Sequence, residues 1–231
     1  MAAAREPAPW SLGPPAPPGL ALVHADAALL VFDKPAGLLA VPGRGEDKQD
    51  CLAARAQAEF PDARVVHRLD MATSGLIVLA RGAPAQRALN LAFEKRQVHK
   101  QYEAVVAGRL EPAVSDDPWN LIDLPLIVDW PNRPRSIVDH AIGKPSRTRW
   151  RVLGHDPQAG TTRVLLEPVT GRSHQLRVHL LALGHPILGD PLYAPAAARV
   201  AAPRLLLHAR RLALFHPVTG EPLVFDSPPP F

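Results

Sequence analysis

Apolar runs separated by Gly- and Pro-containing turns predict most of the strands in this chain. Residues 29–32 and 76–80 are unbroken aliphatic or aromatic stretches, typical of buried strands. Residues 100–107 alternate apolar and polar positions, which indicates a half-buried strand. Two hairpins are also expected, pairing 147–153 with 161–167 and 205–214 with 222–226.

Helical periodicity is weaker and confined to short segments. Helices are predicted over 49–60, 84–97 and 174–183. Pro84 suits the first position of the second helix, and Ser173 can cap the third. Strands and helices do not alternate strictly, so the pattern favours an α+β fold over a doubly wound sheet.

The composition adds limits on size and cellular setting. The chain has 231 residues, 47% of them hydrophobic, with 27 prolines and one cysteine. We expect one domain over 20–227, after a disordered Pro/Ala-rich lead at 1–19 and before a short tail at 228–231. A single cysteine, Cys51, excludes an internal disulfide and a cysteine-type zinc site. No apolar run has the length of a membrane span and no signal peptide is evident, so we expect a cytoplasmic protein without membrane contact. We also expect a monomer.

Charge is distributed unevenly along the chain. Residues 64–109, 132–160 and 161–216 carry net charges of +5, +4 and +5, whereas the Pro-containing stretch 110–131 carries −5 and is expected to be an irregular surface excursion. Basic segments of this kind suit a polyanionic partner such as RNA. An ordinary solvated surface would give the same pattern.

The segment 67–75, HRLDMATSG, places charged groups between two strands that should be buried. A carboxylate there needs partners to offset desolvation. Arg68 lies two positions before Asp70 and should project to the same side of an extended backbone. We also expect the turn 73–75 to offer hydrogen-bond donors to Asp70. The functional interpretation is an ionised carboxylate in a cleft, and the alternative is a structural salt bridge.

The segment 171–179, GRSHQLRVH, combines a helix start with basic side chains. The first helical turn should present His174 and Gln175, with Arg177 one turn further. Helix N-termini with added arginines attract anions, so either a substrate phosphate or Asp70 is the expected partner. A capped helix with solvent-facing charges is the alternative.

Other catalytic chemistries find little support. His174, His179 and His185 are not spaced as helical metal ligands, and no acidic ligand adjoins them. The Thr73–Ser74 turn is not a nucleophile elbow, and neither a P-loop nor a dinucleotide fingerprint is present. The residues therefore predict a site without metal or cofactor, built from a carboxylate and arginine.

Several ordered motifs resemble the RluA-type RNA pseudouridine synthases. The segment 67–75 is similar to the family signature, 100–102 (KQY) to its second motif and 171–179 to its third. Further similar blocks lie at 33–37, 184–190 and 207–209. The resemblance covers residues 20–227. It implies a pseudouridine synthase fold, with a mixed, largely antiparallel sheet, flanking helices and a central cleft.

The resemblance also implies roles for individual residues. Asp70 corresponds to the essential aspartate, acting either as a nucleophile at C1′ or as a base at C2′ of the uridine ribose. Arg177 corresponds to its ion-pair partner, and Tyr102 to an active-site tyrosine that can remove the C5 proton. The residues assigned to substrate binding are Arg68, which would fill the space left by the extruded base, together with His67, Thr73, Arg172 and His174.

Within the family, the similarity is strongest to a dual-specificity member, particularly over 41–44 and 123–134. The implied substrates are stem-loops of 23S rRNA and of tRNA, the latter at the anticodon. No segment resembles an S4 RNA-binding domain, so substrate choice should rest on the catalytic domain. The alternatives are a synthase acting on only one RNA class, a base-flipping glycosylase, and an inactive RNA-binding relative.

Overall fold

The computed structural model describes residues 19–113 and 117–231. All but the last residue of the predicted lead 1–19 lies outside this part of the chain. The strands are β1 Ala21–Ala25, β2 Leu29–Lys34, β3 Ala63–Val65, β4 Ser74–Arg81, β5 His99–Ala107, β6 Asn120–Asp123, β7 Leu126–Val128, β8 Ser136–Val138, β9 Arg147–Asp156, β10 Thr161–Pro168, β11 Leu207–Phe215 and β12 Pro222–Asp226. The helices are α1 Leu52–Glu59, α2 Gly82–Glu94, α3 Gln175–Ala182 and α4 Ala196–Val200, and a 3₁₀ turn spans Glu46–Lys48.

One large sheet organises these elements. Its strands run in the order β1-β2-β4-β11-β5-β10-β9-β6, while β3 also pairs with β4 and β12 with β11. Only β4 and β11 run parallel among the paired strands of the described ranges, and this pairing is short. The predicted α+β class and its mixed, largely antiparallel sheet are therefore confirmed.

The parallel contact depends on a glycine at the start of β4. Gly75 has φ of 110°, and a Cβ at this position would lie 2.4 Å from the carbonyl oxygen of Ala209. Any side chain would therefore clash with the backbone of β11. Gly75 thus allows the loop that carries Asp70 to lead directly into the middle of the sheet.

The acidic stretch 110–131 differs from the sequence-based expectation. Within its described residues, β6 pairs with β9 at the edge of the large sheet, and β7 pairs with β8 in a separate hairpin. Ile122 and Leu126 are buried. Burial of these two apolar residues outweighs the low strand propensity of the neighbouring acidic and proline residues.

The observed helix boundaries also differ from the predicted ones. Ser173 does not cap α3, because His174 occupies the N-cap position in a left-handed conformation and makes no side-chain cap bond. The preceding loop is closed instead from inside the helix, where Gln175 Oε1 accepts hydrogen bonds from the Arg172 N–H at 3.0 Å and the Thr170 hydroxyl at 2.7 Å. α2 ends at Glu94, and Arg96 has a positive φ of 58° that stops the helix.

Candidate active site

A cleft of about 2200 Å³ opens between the β2–β4 half of the sheet and the half that carries β5, β10 and α3. Residues from distant parts of the sequence line it. They include the whole predicted site: His67, Arg68, Asp70, Thr73, Tyr102, Arg172, His174 and Arg177. The fold thus brings the three family motifs to one cavity.

Asp70 and Arg177 face each other across this cleft. Asp70 lies on the loop between β3 and β4, and its Oδ2 is 3.4 Å from Nη1 of Arg177 on α3. The Asp70 side chain is 28% exposed, whereas the Arg177 side chain is 2% exposed. The carboxylate is therefore open to a ligand on one side and held by a buried guanidinium on the other.

Arg177 is oriented by a second acid that the sequence did not single out. Asp190 is buried and accepts hydrogen bonds from Nε and Nη2 of Arg177 at 2.7 and 2.6 Å. The backbone N–H groups of Leu192 and Tyr193 also donate to Asp190. Burial acts to lower the pKa of Arg177, but its hydrogen bonds to Asp190 and the nearby carboxylate charges outweigh that effect and raise the pKa.

His174 approaches the other oxygen of Asp70. Its Nε2 lies 3.9 Å from Asp70 Oδ1, and its Nδ1 is 2.7 Å from the Tyr193 hydroxyl. Burial lowers the pKa of His174, although the charge of Asp70 partly opposes this. Both ring nitrogens of His174 have a partner when the Tyr193 hydroxyl donates to Nδ1, because the ring proton then sits on Nε2 and faces Asp70.

Tyr102 forms a wall of the cleft from the central strand β5. It is paired with Leu166 on one side and Ala209 on the other, and its ring packs against two parts of the core. Burial and the charge of Asp70 both raise the pKa of the Tyr102 phenol. The hydroxyl is consequently neutral at physiological pH.

The partners expected for Asp70 within its own loop are not the observed ones. Arg68 is exposed and makes no ion pair with the described residues. The Thr73 N–H donates to the backbone carbonyl of Asp70 at 3.1 Å, not to its carboxylate. The Ser74 hydroxyl is engaged by His208 and Arg204. Arg177 and His174 therefore take the place expected for Arg68 and the 73–75 turn.

His67 and Arg172 occupy different settings in the cleft wall. His67 Nε2 accepts the Val78 N–H at 3.1 Å, and its ring stacks on Phe93 with centroids 4.6 Å apart. Burial, with a smaller effect of the Lys100 charge, lowers the pKa of His67 to about 3. Arg172 is exposed at the rim, so its guanidinium faces solvent where a polyanion would approach.

A buried lysine supports the Asp70 loop from below. Lys34 Nζ donates to the carbonyls of Pro35 and Leu38 at 2.8 Å and of Met71 at 3.1 Å. Burial lowers the pKa of Lys34 to about 7, against the opposing charge of Asp70. Its position at the end of the apolar run 29–32 was the available sequence signal, since a lysine buried there needs several acceptors.

The described ranges lack both a metal-binding cluster and a membrane-spanning helix. They contain no group of three or more His, Cys, Asp or Glu side chains arranged to hold a metal ion. None of their helices combines the length and apolar character needed to cross a membrane.

Comparisons with known proteins place these features in context. The family model described as RNA pseudouridylate synthase matches residues 28–182. The dual-specificity RNA pseudouridine synthase RluA of Escherichia coli (strain K12) is 50% identical over 218 residues, covering 94% of this chain and 97% of the relative. The protein of the same name from Pasteurella multocida (strain Pm70) is 48% identical over 221 residues, covering 96% of this chain and 98% of the relative.

Solved structures of human proteins show the same fold. Human RNA Pseudouridylate Synthase Domain Containing 1 superposes with a TM-score of 0.72 at 31% identity, over 96% of this chain and 86% of that one. Human RNA Pseudouridylate Synthase Domain Containing 4 gives a TM-score of 0.69 at 26% identity, over 91% and 88% of the two chains.

Proposed function

The chain belongs to the RNA pseudouridylate synthase family, and we propose that it isomerises specific uridines to pseudouridine in stem-loops of both 23S rRNA and tRNA. The observation that carries this proposal is the contact between Asp70 and Arg177 inside a large open cleft. The similarity to proteins named as dual-specificity synthases, along nearly the whole chain, supports both substrate classes.

The reaction rearranges bonds without oxidation or reduction. The bond between uracil N1 and ribose C1′ breaks, the base rotates, and a bond forms between C5 and C1′. C5 loses a proton and N1 gains one, so the atoms balance without a cofactor. We propose that Asp70 acts on the ribose, either by attack on C1′ or by removing the proton at C2′, since its exposed edge faces the cleft.

Arg177 and Asp190 hold the Asp70 carboxylate on its buried side. The guanidinium places its charge 3.4 Å from Asp70, and Asp190 fixes the guanidinium plane through two short hydrogen bonds. We assign Asp190 as a positioning residue, because Arg177 lies between it and the reacting carboxylate.

The target base needs space outside the RNA stack, and the cleft provides a wall for it. Tyr102 offers an aromatic face beside Asp70, and Arg68 is free of ion pairs with the described residues. We propose that the extruded uracil packs on Tyr102 while Arg68 enters the vacated position in the RNA. Arg172 at the rim then contacts the phosphate backbone.

His67 and Thr73 support the base pocket indirectly. Both line the cleft, but His67 accepts a backbone N–H and Thr73 closes the Asp70 loop through its own N–H. We propose that they hold the loop in place. His174, whose ring faces Asp70, is the residue of this group that we place closest to the reacting ribose.

The proposal can be tested with two short synthetic RNAs, one an anticodon-type stem-loop and one a stem-loop of large-subunit rRNA. Pseudouridine is measured by chemical tagging, and free uracil is measured in parallel. We expect pseudouridine in both RNAs and no free uracil. Release of uracil would indicate a glycosylase, and product in only one RNA would restrict the enzyme to that class. Activity on assembled ribosomal particles alone would contradict the stem-loop proposal.

A further inference from the structure

The turn of the β7–β8 hairpin, whose Pro134 lines the cleft, presents an exposed aromatic side chain. Trp130 is 67% exposed, and the guanidinium carbon of Arg133 lies 3.8 Å from the centroid of its ring. One face of the indole is therefore covered by a planar cation. Such a stacked pair is a surface suited to a further planar group, because bases stack on both aromatic rings and guanidinium planes.

The hairpin turn is held in shape by its own hydrogen bonds. Asp129 and Arg135 pair through the backbone at 2.9 Å, and the Asn132 side chain donates to Asp129 Oδ2 at 2.9 Å. Arg133 Nε donates to the carbonyl of Trp130 at 3.1 Å, which fixes the stack. Little ordering of this pair would be required when a ligand binds.

The turn is also connected to the active site. The Ser136 N–H on β8 donates to the Tyr193 hydroxyl at 2.7 Å, and the same hydroxyl bonds His174, which faces Asp70. A depression of about 260 Å³ lies between residues 132–135 and the loop after Asp190. Pro134 and Leu192 line both this depression and the catalytic cleft, so the two are adjacent.

Cations surround the depression. Arg133, Arg135 and Arg199 line it, and the nearby carboxylate of Asp129 is already bonded to Asn132. This arrangement matches a nucleotide, with a planar base and an anionic phosphate. An extended RNA loop that enters the catalytic cleft would bring the neighbours of its target uridine to this position.

We propose that Trp130 and Arg133 form a stacking platform for one unpaired base next to the target uridine, with Arg135 and Arg199 holding its phosphates. This inference rests on the proposed RNA-modifying function and identifies residues that read the substrate loop. Stacking tolerates every base, so the platform selects loops with an unpaired nucleotide at the correct distance, whatever its identity. A requirement of this kind would allow loops of different sequence to share one enzyme.

Binding of a labelled stem-loop tests the platform. Trp130→Ala is expected to weaken affinity about five- to a hundredfold, as loss of one base stack does, whereas Trp130→Phe should stay within about threefold of wild type. Arg133→Ala should weaken affinity as well. Phe215→Ala and Arg87→Ala are matched controls, because both residues are exposed and lie outside the cleft and the depression. Thermal unfolding of each variant checks that the fold is retained.

A set of stem-loops, each with one abasic loop position, identifies the partner. At one position the abasic RNA should bind wild type and Trp130→Ala equally, because the base that stacks on Trp130 is missing. Equal weakening by Trp130→Ala at every position would overturn the inference, as would wild-type affinity of Trp130→Ala. A change in self-association alone would also overturn it, by assigning the turn to a protein contact.

Failure of the platform can be distinguished from failure of the proposed function. Wild type that produces pseudouridine together with an unaffected Trp130→Ala variant refutes the platform alone. Wild type that binds the stem-loops without producing pseudouridine refutes the proposed stem-loop function, while the comparison of affinities still decides whether Trp130 stacks on a base.

Discussion

Arg177 is bound more closely by Asp190 than by Asp70. Its Nε and Nη2 lie 2.7 and 2.6 Å from the two oxygens of Asp190, while its Nη1 lies 3.4 Å from Asp70. The strong bidentate interaction is therefore buried behind the site, and Asp70 receives the weaker, longer contact. This division keeps the arginine fixed while leaving the carboxylate available to substrate.

We expect Asp190→Asn to slow catalysis by loosening Arg177. Removing one charge of a buried pair should also lower the free energy of unfolding by about 3–5 kcal/mol. The measurements are urea unfolding and the single-turnover rate at saturating enzyme, at a temperature where the variant remains folded. A positioning role predicts a lower rate with nearly unchanged RNA affinity.

The matched control is Asp62→Asn, which breaks the partly exposed pair of Asp62 with Arg81. It should cost no more than about 1 kcal/mol and leave the rate unchanged. A wild-type rate for folded Asp190→Asn would contradict the positioning role.

Asp70→Asn should eliminate turnover. The substitution keeps the shape of the side chain but removes the charge required for attack on the ribose or for proton removal, so a loss of at least about a thousandfold is expected. RNA affinity and thermal stability should stay near wild type, since the contacts of the Asp70 carboxylate with Arg177 and His174 are long. Turnover within tenfold of wild type would contradict the assignment.

The parts of the fold that depend on local burial could be predicted from the sequence. The runs 29–32 and 76–80 lie in β2 and β4, because fully apolar segments of this length have few other stable placements. β6 and β7 were missed, since their few apolar residues become buried only through pairing with β9 and β8, which the local pattern does not reveal.

The site residues could be predicted from local motifs, but their contacts with one another could not. Motif similarity predicted Asp70, Tyr102 and Arg177 as site residues, and the fold brings them to one cleft. Local spacing suggested Arg68 as the partner of Asp70, but the loop turns Arg68 outward and α3 supplies Arg177 instead. Asp190 ends the similar block 184–190, but no role was predicted for it, because its contact with Arg177 forms only when α3 packs against the loop that follows it.

Tyr102→Phe separates ring packing from proton transfer. The phenyl ring retains the aromatic wall, so RNA affinity should remain within about twofold. The neutral hydroxyl can act only by passing the C5 proton on, not as a phenolate, and its loss should lower the rate of product formation by about 10²- to 10⁴-fold. Because the pKa of Tyr102 is raised, no acceleration is expected between pH 6 and 9 from ionisation of this phenol. A fall in affinity that matches the fall in rate would assign Tyr102 to docking alone.

His67 should contribute to acid sensitivity. Its pKa is about 3 in the folded protein and about 6.5 in the unfolded chain, so between these values the unfolded chain binds the extra proton. The stabilisation is present above pH 6.5 and is lost as pH falls towards 3, by at most about 1.4 kcal/mol per pH unit.

His67→Gln, whose amide oxygen can accept the Val78 N–H, removes this titration. Urea unfolding is measured at pH 7, 5.5 and 4.5. As the pH falls, the unfolding free energy of wild type should decrease more than that of the variant. Parallel pH profiles would show that His67 is protonated equally in both states.

Two arginines in the cleft should affect RNA in different ways. Arg68 is exposed beside Asp70 without an ion pair among the described residues, and we place it in the gap left by the extruded base. Arg68→Met should therefore leave initial binding within about threefold while lowering the single-turnover rate at least about tenfold.

Arg172→Met, at the rim, should weaken binding with little effect on the rate of the bound complex. Affinity should fall steeply with salt for wild type, and Arg172→Met should reduce the slope by about one unit, as expected for one lost phosphate contact. Measuring affinity and single-turnover rate at several salt concentrations tests both roles, and an equal loss of affinity in the two variants would show that Arg68 is a phosphate contact like Arg172.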